Sequence, residues 1–324
     1  MSAGFIWHEL MTSDPGDAKA FYAAVMGWTP EPFPGTSVNY TVMKVGERGV
    51  AGIMQIPEAA KAGGMPPKWV GYIQAGDIDA EVAALQRAGG TLHRGPEEIG
   101  GGVGRFAVTS DPQGALYMLL EPQMPAQPPV PPMMPGHVGW NELMTDDWEK
   151  AFDYYSGLYG WTKGNGMDMG DMGIYQLVAL EGTDMGAMMN RPSRIPVSWG
   201  FYFIVDGLDA AVKRVTDNGG KITMEPMEVP GGQWVANCAD PQGAHFGMVS
   251  DKKCLRPPAS WTFKGLEAQY ARLIAFDSEY AREKYDEATF RQNPDRKSRR
   301  ERVPRDPYRA TSGRQDGRGL FGRG

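Results

Sequence analysis

The chain is poor in the side chains from which most metal and redox centres are built. It has two cysteines and four histidines in 324 residues. Cys238 lies in an expected strand and Cys254 lies outside the repeated part of the chain, so there is no disulfide framework, and a reducing compartment is expected. No segment approaches the roughly 20 apolar residues that span a bilayer. The N-terminus lacks a basic segment followed by an apolar run, so no secretion signal is expected and the cytoplasm is the expected location. The glycine runs at 100–104 and 231–232 do not open a helix after a strand, so they are not phosphate cradles. No Cys–His or Ser–His pair stands at motif spacing. No cofactor is expected.

What the chain does have is itself twice. WHELMTSDPGDAKAFYAAVMGW at 7–28 returns as WNELMTDDWEKAFDYYSGLYGW at 140–161. TSDPQGALYMLLE, from Thr109, returns as CADPQGAHFGMVS, from Cys238. Gly89-Gly90 answers Gly219-Gly220. A period of about 130 residues is too long for a solenoid, so each copy is a domain. Domain 1 is placed at 1–122 and domain 2 at 137–250. Between them, 123–136 is a stiff linker; Pro122 to Pro135 contains seven prolines. The formal charge of −6 hides a division. Residues 1–250 carry 15 Lys+Arg against 28 Asp+Glu, and residues 251–324 carry 18 against 11. The tail, 251–324, is basic, with one possible helix at 261–288, and is otherwise expected to be disordered because it is too polar to offset ordering entropy.

Each copy reads as strand, helix, several strands, and then the same again. Asp14 and Pro15 open a helix whose Ala18, Phe21, Tyr22 and Val25 share one stripe, and Gly27 ends it. Val38–Val45 and Val50–Ile56 read as strands. Trp69–Gln74 is a strand, Asp77–Ala88 a helix, and Arg105–Thr109 and Ala115–Glu121 are strands joined by an Asp-Pro-Gln-Gly turn.

Four strand-helix-strands units in tandem, with an FY…GW helix end and a DPQG turn before each closing strand, resemble the vicinal oxygen chelate superfamily. That group includes glyoxalase I, bleomycin-resistance proteins and extradiol dioxygenases. The resemblance covers about residues 4–250, and the W-x-E-L-x-T opening is most similar to its tandem glyoxalase-like branch. It implies an α+β fold: two tandem glyoxalase-like domains, each a pair of βαβββ units forming a curled mixed sheet that cups a ligand. It also implies metal ligands on the first and last strands of metal-using members. Here those slots fall on Trp7 and Trp140, on Val70 and Gly200, and on Met118 and Gly247. The remaining slot lies near Gly52–Met54 and Gly186–Met188. None carries a ligand-competent side chain, so no metal is expected. A register slip that brought in His8 would turn it to the other face, and its repeat partner is Asn141.

The cup therefore needs another chemistry. Trp7 and Glu9 share one face of the first strand, and so do Trp140 and Glu142. Glu9 and Glu142 are the candidate proton-handling residues. Trp7, Trp140, Tyr72, Tyr202, Met118 and His245 are candidate ligand contacts. A bland alternative stands beside each: tryptophan filling a former metal hole, glutamate holding a backbone donor, tyrosine and histidine as satisfied core groups. Twenty methionines, dense around 165–190, suggest an adaptable lining or core filler. Two functions follow as expectations. One is a metal-independent glyoxalase-like lyase or hydroxylase. The other is a sequestration protein of bleomycin-resistance type. The expected partner is a small, partly apolar molecule; membrane and nucleic-acid binding are not expected. The expected assembly is a monomer with an internal pseudo-dimer, or a weak homodimer. A third possibility, an interaction protein working through its tail, rests on the tail's charge.

Overall fold

A computed structural model describes residues 3–34 and 39–251. The helix expected at 261–288 and the rest of the tail from residue 252 lie outside the described residues. Domain 1 runs β1 (Phe5–Thr12), α1 (Pro15–Met26), β2 (Thr29–Pro32), β3 (Tyr40–Val45), β4 (Arg48–Gln55), α2 (Glu58–Ala62), β5 (Lys68–Gln74), α3 (Ile78–Arg87), β6 (Thr91–Ile99), β7 (Gly104–Ser110) and β8 (Leu116–Pro122). Domain 2 repeats this with β9 (Val138–Thr145), α4 (Trp148–Tyr159), β10 (Thr162–Asp168), β11 (Ile174–Leu180), β12 (Thr183–Asn190), β13 (Ser198–Ile204), α5 (Leu208–Asp217), β14 (Lys221–Glu228), β15 (Trp234–Ala239) and β16 (His245–Ser250). None of the described helices is long and apolar enough to cross a membrane.

Each domain is one eight-stranded sheet. The order is β2-β3-β4-β1-β5-β8-β7-β6 in domain 1 and β10-β11-β12-β9-β13-β16-β15-β14 in domain 2. β1 pairs antiparallel with β5, so the two units of one copy join edge to edge within that copy. β1–β4 and β5–β8 are parallel, which makes the sheet mixed. The helix ends follow the sequence signals. Asp14 accepts hydrogen bonds from the amides of Gly16 and Asp17, both at 3.0 Å. Gly27 leaves α1 at φ 72°, where a Cβ would be strained.

Strand alternation splits each sheet into two faces. Leu10, Trp69, Ile73, Tyr117 and Leu119 point to the helices and join a core that also takes in Phe201, Phe203 and Phe246 of domain 2. Met11, Val70, Tyr72, Met118 and Leu120 point the other way, with Trp7 and Met54 packed beside them. This second face is the expected cup.

The DPQG turns do more than reverse the chain. Asp111 holds its own turn through the amides of Gln113 and Ala115. It also accepts a 3.3 Å hydrogen bond from Tyr155 of domain 2, whose hydroxyl in turn accepts from Trp199 at 2.9 Å. The mirror-image chain runs from Trp69 to the Tyr22 hydroxyl at 2.9 Å and from Tyr22 to Asp240 at 3.2 Å. Gln113 clamps the start of α4 by donating to the Asp147 carbonyl and accepting from the Asp147 amide, at 2.8 and 2.7 Å. Gln242 donates to Asp17 at the start of α1. Each domain's turn is thus the docking point for the other domain's first helix. Reading DPQG as a turn alone missed this, because the partner lies about 45 residues away in one case and over 200 in the other.

Candidate functional site

β1 presents Trp7, Glu9 and Met11 to the cup face. Glu9 is 3% exposed. Tyr72 of β5 donates to its Oε1 at 3.0 Å. A second tyrosine, Tyr40 of β3, also bonds the carboxyl. The Tyr40 hydroxyl in turn accepts from the indole Nε1 of Trp7 at 2.9 Å. Domain 2 repeats the constellation. Trp140 donates to the Tyr175 hydroxyl at 2.8 Å, Tyr175 donates to Glu142 Oε2 at 2.8 Å, and Tyr202 donates to Glu142 Oε1 at 3.3 Å. The expected Trp–Glu pairs are therefore linked through tyrosines. Tyr72 and Tyr202 bury their hydroxyls on the carboxyls, and among the described residues the groups that bond the two glutamates are tyrosine hydroxyls.

Tyr40 and Tyr175 were missed in the sequence. Their signal was the repeat itself, since Asn-Tyr-Thr-Val and Ile-Tyr-Gln-Leu open the matching strands β3 and β11. Room for the tyrosines comes from glycine. A Cβ on Gly52 would lie 1.8 Å from the Tyr40 hydroxyl, and one on Gly247 would lie 2.2 Å from Tyr202 Cδ1.

Two opposing effects set the charge of these carboxyls. Burial disfavours the anion, while the tyrosine hydroxyls favour it. Burial is the larger effect in both domains. It pushes Glu9 up to about 7 and raises Glu142 from its ordinary value. The same burial raises Tyr40 and Tyr72 well above the ordinary phenol range, with the nearby Glu9 charge acting in the same direction. Near neutral pH, Glu9 is divided between acid and carboxylate, and its tyrosines stay protonated.

The remaining candidates separate. Met118 is buried on the cup face, paired in register with Tyr72. His245 is exposed at the start of β16, and the side chains that bond Glu142 are Tyr175 and Tyr202. The methionines divide by parity. Met144, Met189, Met224 and Met227 line the domain 2 cup face, whereas Met188 belongs to the core behind it. The two cups also differ beside the glutamate. Val70 faces Glu9, but Gly200 faces Glu142, and a Cβ there would meet nothing nearer than the Glu142 carbonyl at 3.8 Å. Domain 2 therefore has room where domain 1 has a side chain.

His8 stands on the opposite face of β1. Its Nε2 lies 3.4 Å from Oδ1 of Asn141, the same position of the other repeat, so the two domains meet at equivalent residues. The ring packs edge-on to Phe201, with centroids 4.7 Å apart. Burial lowers its pKa to about 4, which keeps it neutral.

The donor chemistry tests the metal that the resemblance implies. Among the described residues no three His, Cys, Asp or Glu side chains converge. Glu9 and Glu142 each stand as a single carboxyl among tyrosines, glycine and apolar side chains, and His8 faces away. Such a donor set does not fit a divalent ion, which needs several oxygen or nitrogen ligands.

Comparisons with known proteins agree with this architecture. The family model described as Glyoxalase/Bleomycin resistance protein/Dioxygenase superfamily matches residues 4–119 and 135–248. CFP32 of Mycobacterium bovis, whose name assigns it provisionally to the glyoxylases, is 31% identical over 249 residues, covering 75% of this chain and 93% of that protein. The anthracycline biosynthesis protein DnrV of Streptomyces peucetius is 30% identical over 258 residues, covering 75% and 91%. Among solved structures, the Mn(II)-bound glyoxalase of Novosphingobium aromaticivorans superposes with a TM-score of 0.54 at 16% identity, covering 77% of this chain and 82% of that one. The 2,3-dioxygenase LapB of Pseudomonas sp. KL28 superposes with a TM-score of 0.55 at 14% identity, covering 82% and 98%. The family match, the two cups and the duplicated topology agree: the chain belongs to the Glyoxalase/Bleomycin resistance protein/Dioxygenase superfamily.

Proposed function

We propose that the cup of domain 1 binds a small, partly apolar organic molecule and that Glu9 exchanges a proton with it, without the superfamily's metal. One observation carries this reading: a buried carboxyl pushed up to about 7 lies on an apolar, aromatic face. A group with that pKa is a serviceable acid and base at neutral pH, and proton transfer by a positioned side chain is worth roughly 10²–10⁴-fold in rate. Trp7 supplies area for a flat ligand, and Tyr40 and Tyr72 hold the carboxyl in place. The relatives' names, a glyoxylase and an anthracycline biosynthesis protein, suit an organic substrate of this kind.

Domain 2 favours a second reading. Its glutamate is held by two tyrosines as in domain 1, but Gly200 leaves space beside it where domain 1 has Val70. That geometry suits holding a ligand more than transforming it. The test uses Glu9→Gln, Glu142→Gln and the double variant. With a substrate turned over by the wild-type protein, Glu9→Gln lowers kcat by about 100-fold or more and Glu142→Gln leaves it nearly unchanged. Full turnover by the double variant ends the proton-transfer reading. A ligand that binds and is recovered chemically unchanged favours sequestration.

A further inference from the structure

Lys68 is a cation on the cup face that the proton-transfer chemistry does not use. It is the first residue of β5, and alternation along that strand places it with Val70 and Tyr72, opposite the helix-facing Trp69. It pairs across the ladder with Met11, while Val70 pairs with Glu9. Residues two apart on a strand are separated by about 6.5–7 Å, so Lys68 stands one step along the cup from Glu9. The apolar residues Met11, Ile56, Val70 and Leu116 belong to the same face. Among the described residues, no hydrogen bond or ion pair reaches its ammonium, and burial alone lowers its pKa. Domain 2 has Ser198 at the matching position, opposite Met144.

Lys68 is half-buried at the start of the strand, and pairing of an ammonium with an anion beside an apolar face is a strong hydrogen bond. We propose that the domain 1 cup selects organic anions: the ligand's carboxylate sits on Lys68, and its apolar body reaches along Val70 and Met118 toward Trp7 and Glu9. Domain 2, with Ser198 in place of the lysine, takes neutral molecules. This assignment rests on the cup being a ligand site and adds the charge of the ligand.

The probes are 2-naphthoate and its neutral counterpart 2-naphthamide, titrated into the full chain by calorimetry. Methyl-labelled methionine NMR reports the location. Naphthoate binds domain 1 at least about tenfold more tightly than the amide, as a charged hydrogen bond requires. It shifts the methyl signals of Met11 and Met118. Lys68→Gln removes that preference without changing amide affinity, and Lys68→Arg restores most of it. Equal affinities for acid and amide in the wild-type protein overturn the Lys68 assignment and leave the cup as a binding site. A preference that survives Lys68→Gln, or shifts confined to Met144 and Met189, overturns it too. Binding of neither probe overturns both the assignment and the ligand-cup reading.

Discussion

Two adjacent residues of β1 titrate in opposite senses, and Glu9→Gln separates them. Glu9 is raised from 4.5 to about 7 in the folded protein. The native state therefore holds its proton more tightly than the unfolded chain. Its stabilising contribution is complete below pH 4.5, declines as the pH rises, and is gone above about 7. A shift of that size, at about 1.4 kcal/mol per unit, amounts to about 3 kcal/mol. His8 moves the other way, from 6.5 down to about 4. The unfolded chain binds its proton first, so this contribution is complete above pH 6.5 and is lost as the pH falls toward 4, again by about 3 kcal/mol. Between pH 4.5 and 6.5 the two slopes nearly cancel, and the contribution of this pair to the wild-type stability curve is close to flat. Glu9→Gln keeps the shape of the side chain and removes the Glu9 slope alone, so the stability of the variant relative to the wild-type protein climbs by about 3 kcal/mol from about pH 4.5 to 7. His8→Asn, which installs the residue domain 2 already has, tilts the curve the opposite way. Urea unfolding midpoints at half-unit steps from pH 4 to 8, converted with a common m-value, give the three curves. Parallel curves for the wild-type protein and Glu9→Gln would refute the claim that burial sets the charge of the cup carboxyl.

Other expectations follow from the same geometry. Tyr155→Phe strands the Trp199 indole, takes one donor from Asp111 and lowers stability by about 1–3 kcal/mol; Tyr22→Phe does the same through Trp69 and Asp240, and thermal unfolding of each variant measures it. Gly52→Ala places a methyl where the Tyr40 hydroxyl sits, so Tyr40 is displaced and Glu9, with one donor fewer, titrates still higher; carboxyl NMR of labelled glutamate follows the shift. Gly200→Val fills the space beside Glu142, where a Cβ meets nothing nearer than 3.8 Å, and removes ligand binding from domain 2, as calorimetry would show. Exhaustive treatment with a chelator leaves the unfolding midpoint and any turnover unchanged, and elemental analysis finds no stoichiometric zinc, nickel, iron or manganese.

The repeat made much of this fold legible. Matching the copies placed Trp7, Glu9, Tyr72 and Met118 on one face, because strand parity needs only local counting. Strands β2, β6, β10 and β14 were not singled out, and they share a cause: each lies at the edge of a sheet. Edge strands tolerate proline and polar residues, and Thr-Pro-Glu-Pro in β2 and Gly-Pro-Glu-Glu in β6 hide the alternation. Tyr40 and Tyr175 escaped for another reason. They reach the carboxyl from strands two places away in the sheet, and no local pattern states that distance. The placement of His8 against Asn141 likewise needed the packing of the two domains.

The reciprocal docking of helix and turn divides the freedom of the two halves unequally. Tyr22, Asp240, Tyr155 and Asp111 bind each half to its twin, so a change at any of them is felt across the boundary and neither half can drift alone there. The cup faces carry no such obligation. Val70 against Gly200, Lys68 against Ser198, and Met118 against Gly247 show where one half has already parted from the other. A duplicated frame held together at its back can thus vary its two fronts independently, without risking the packing that presents them.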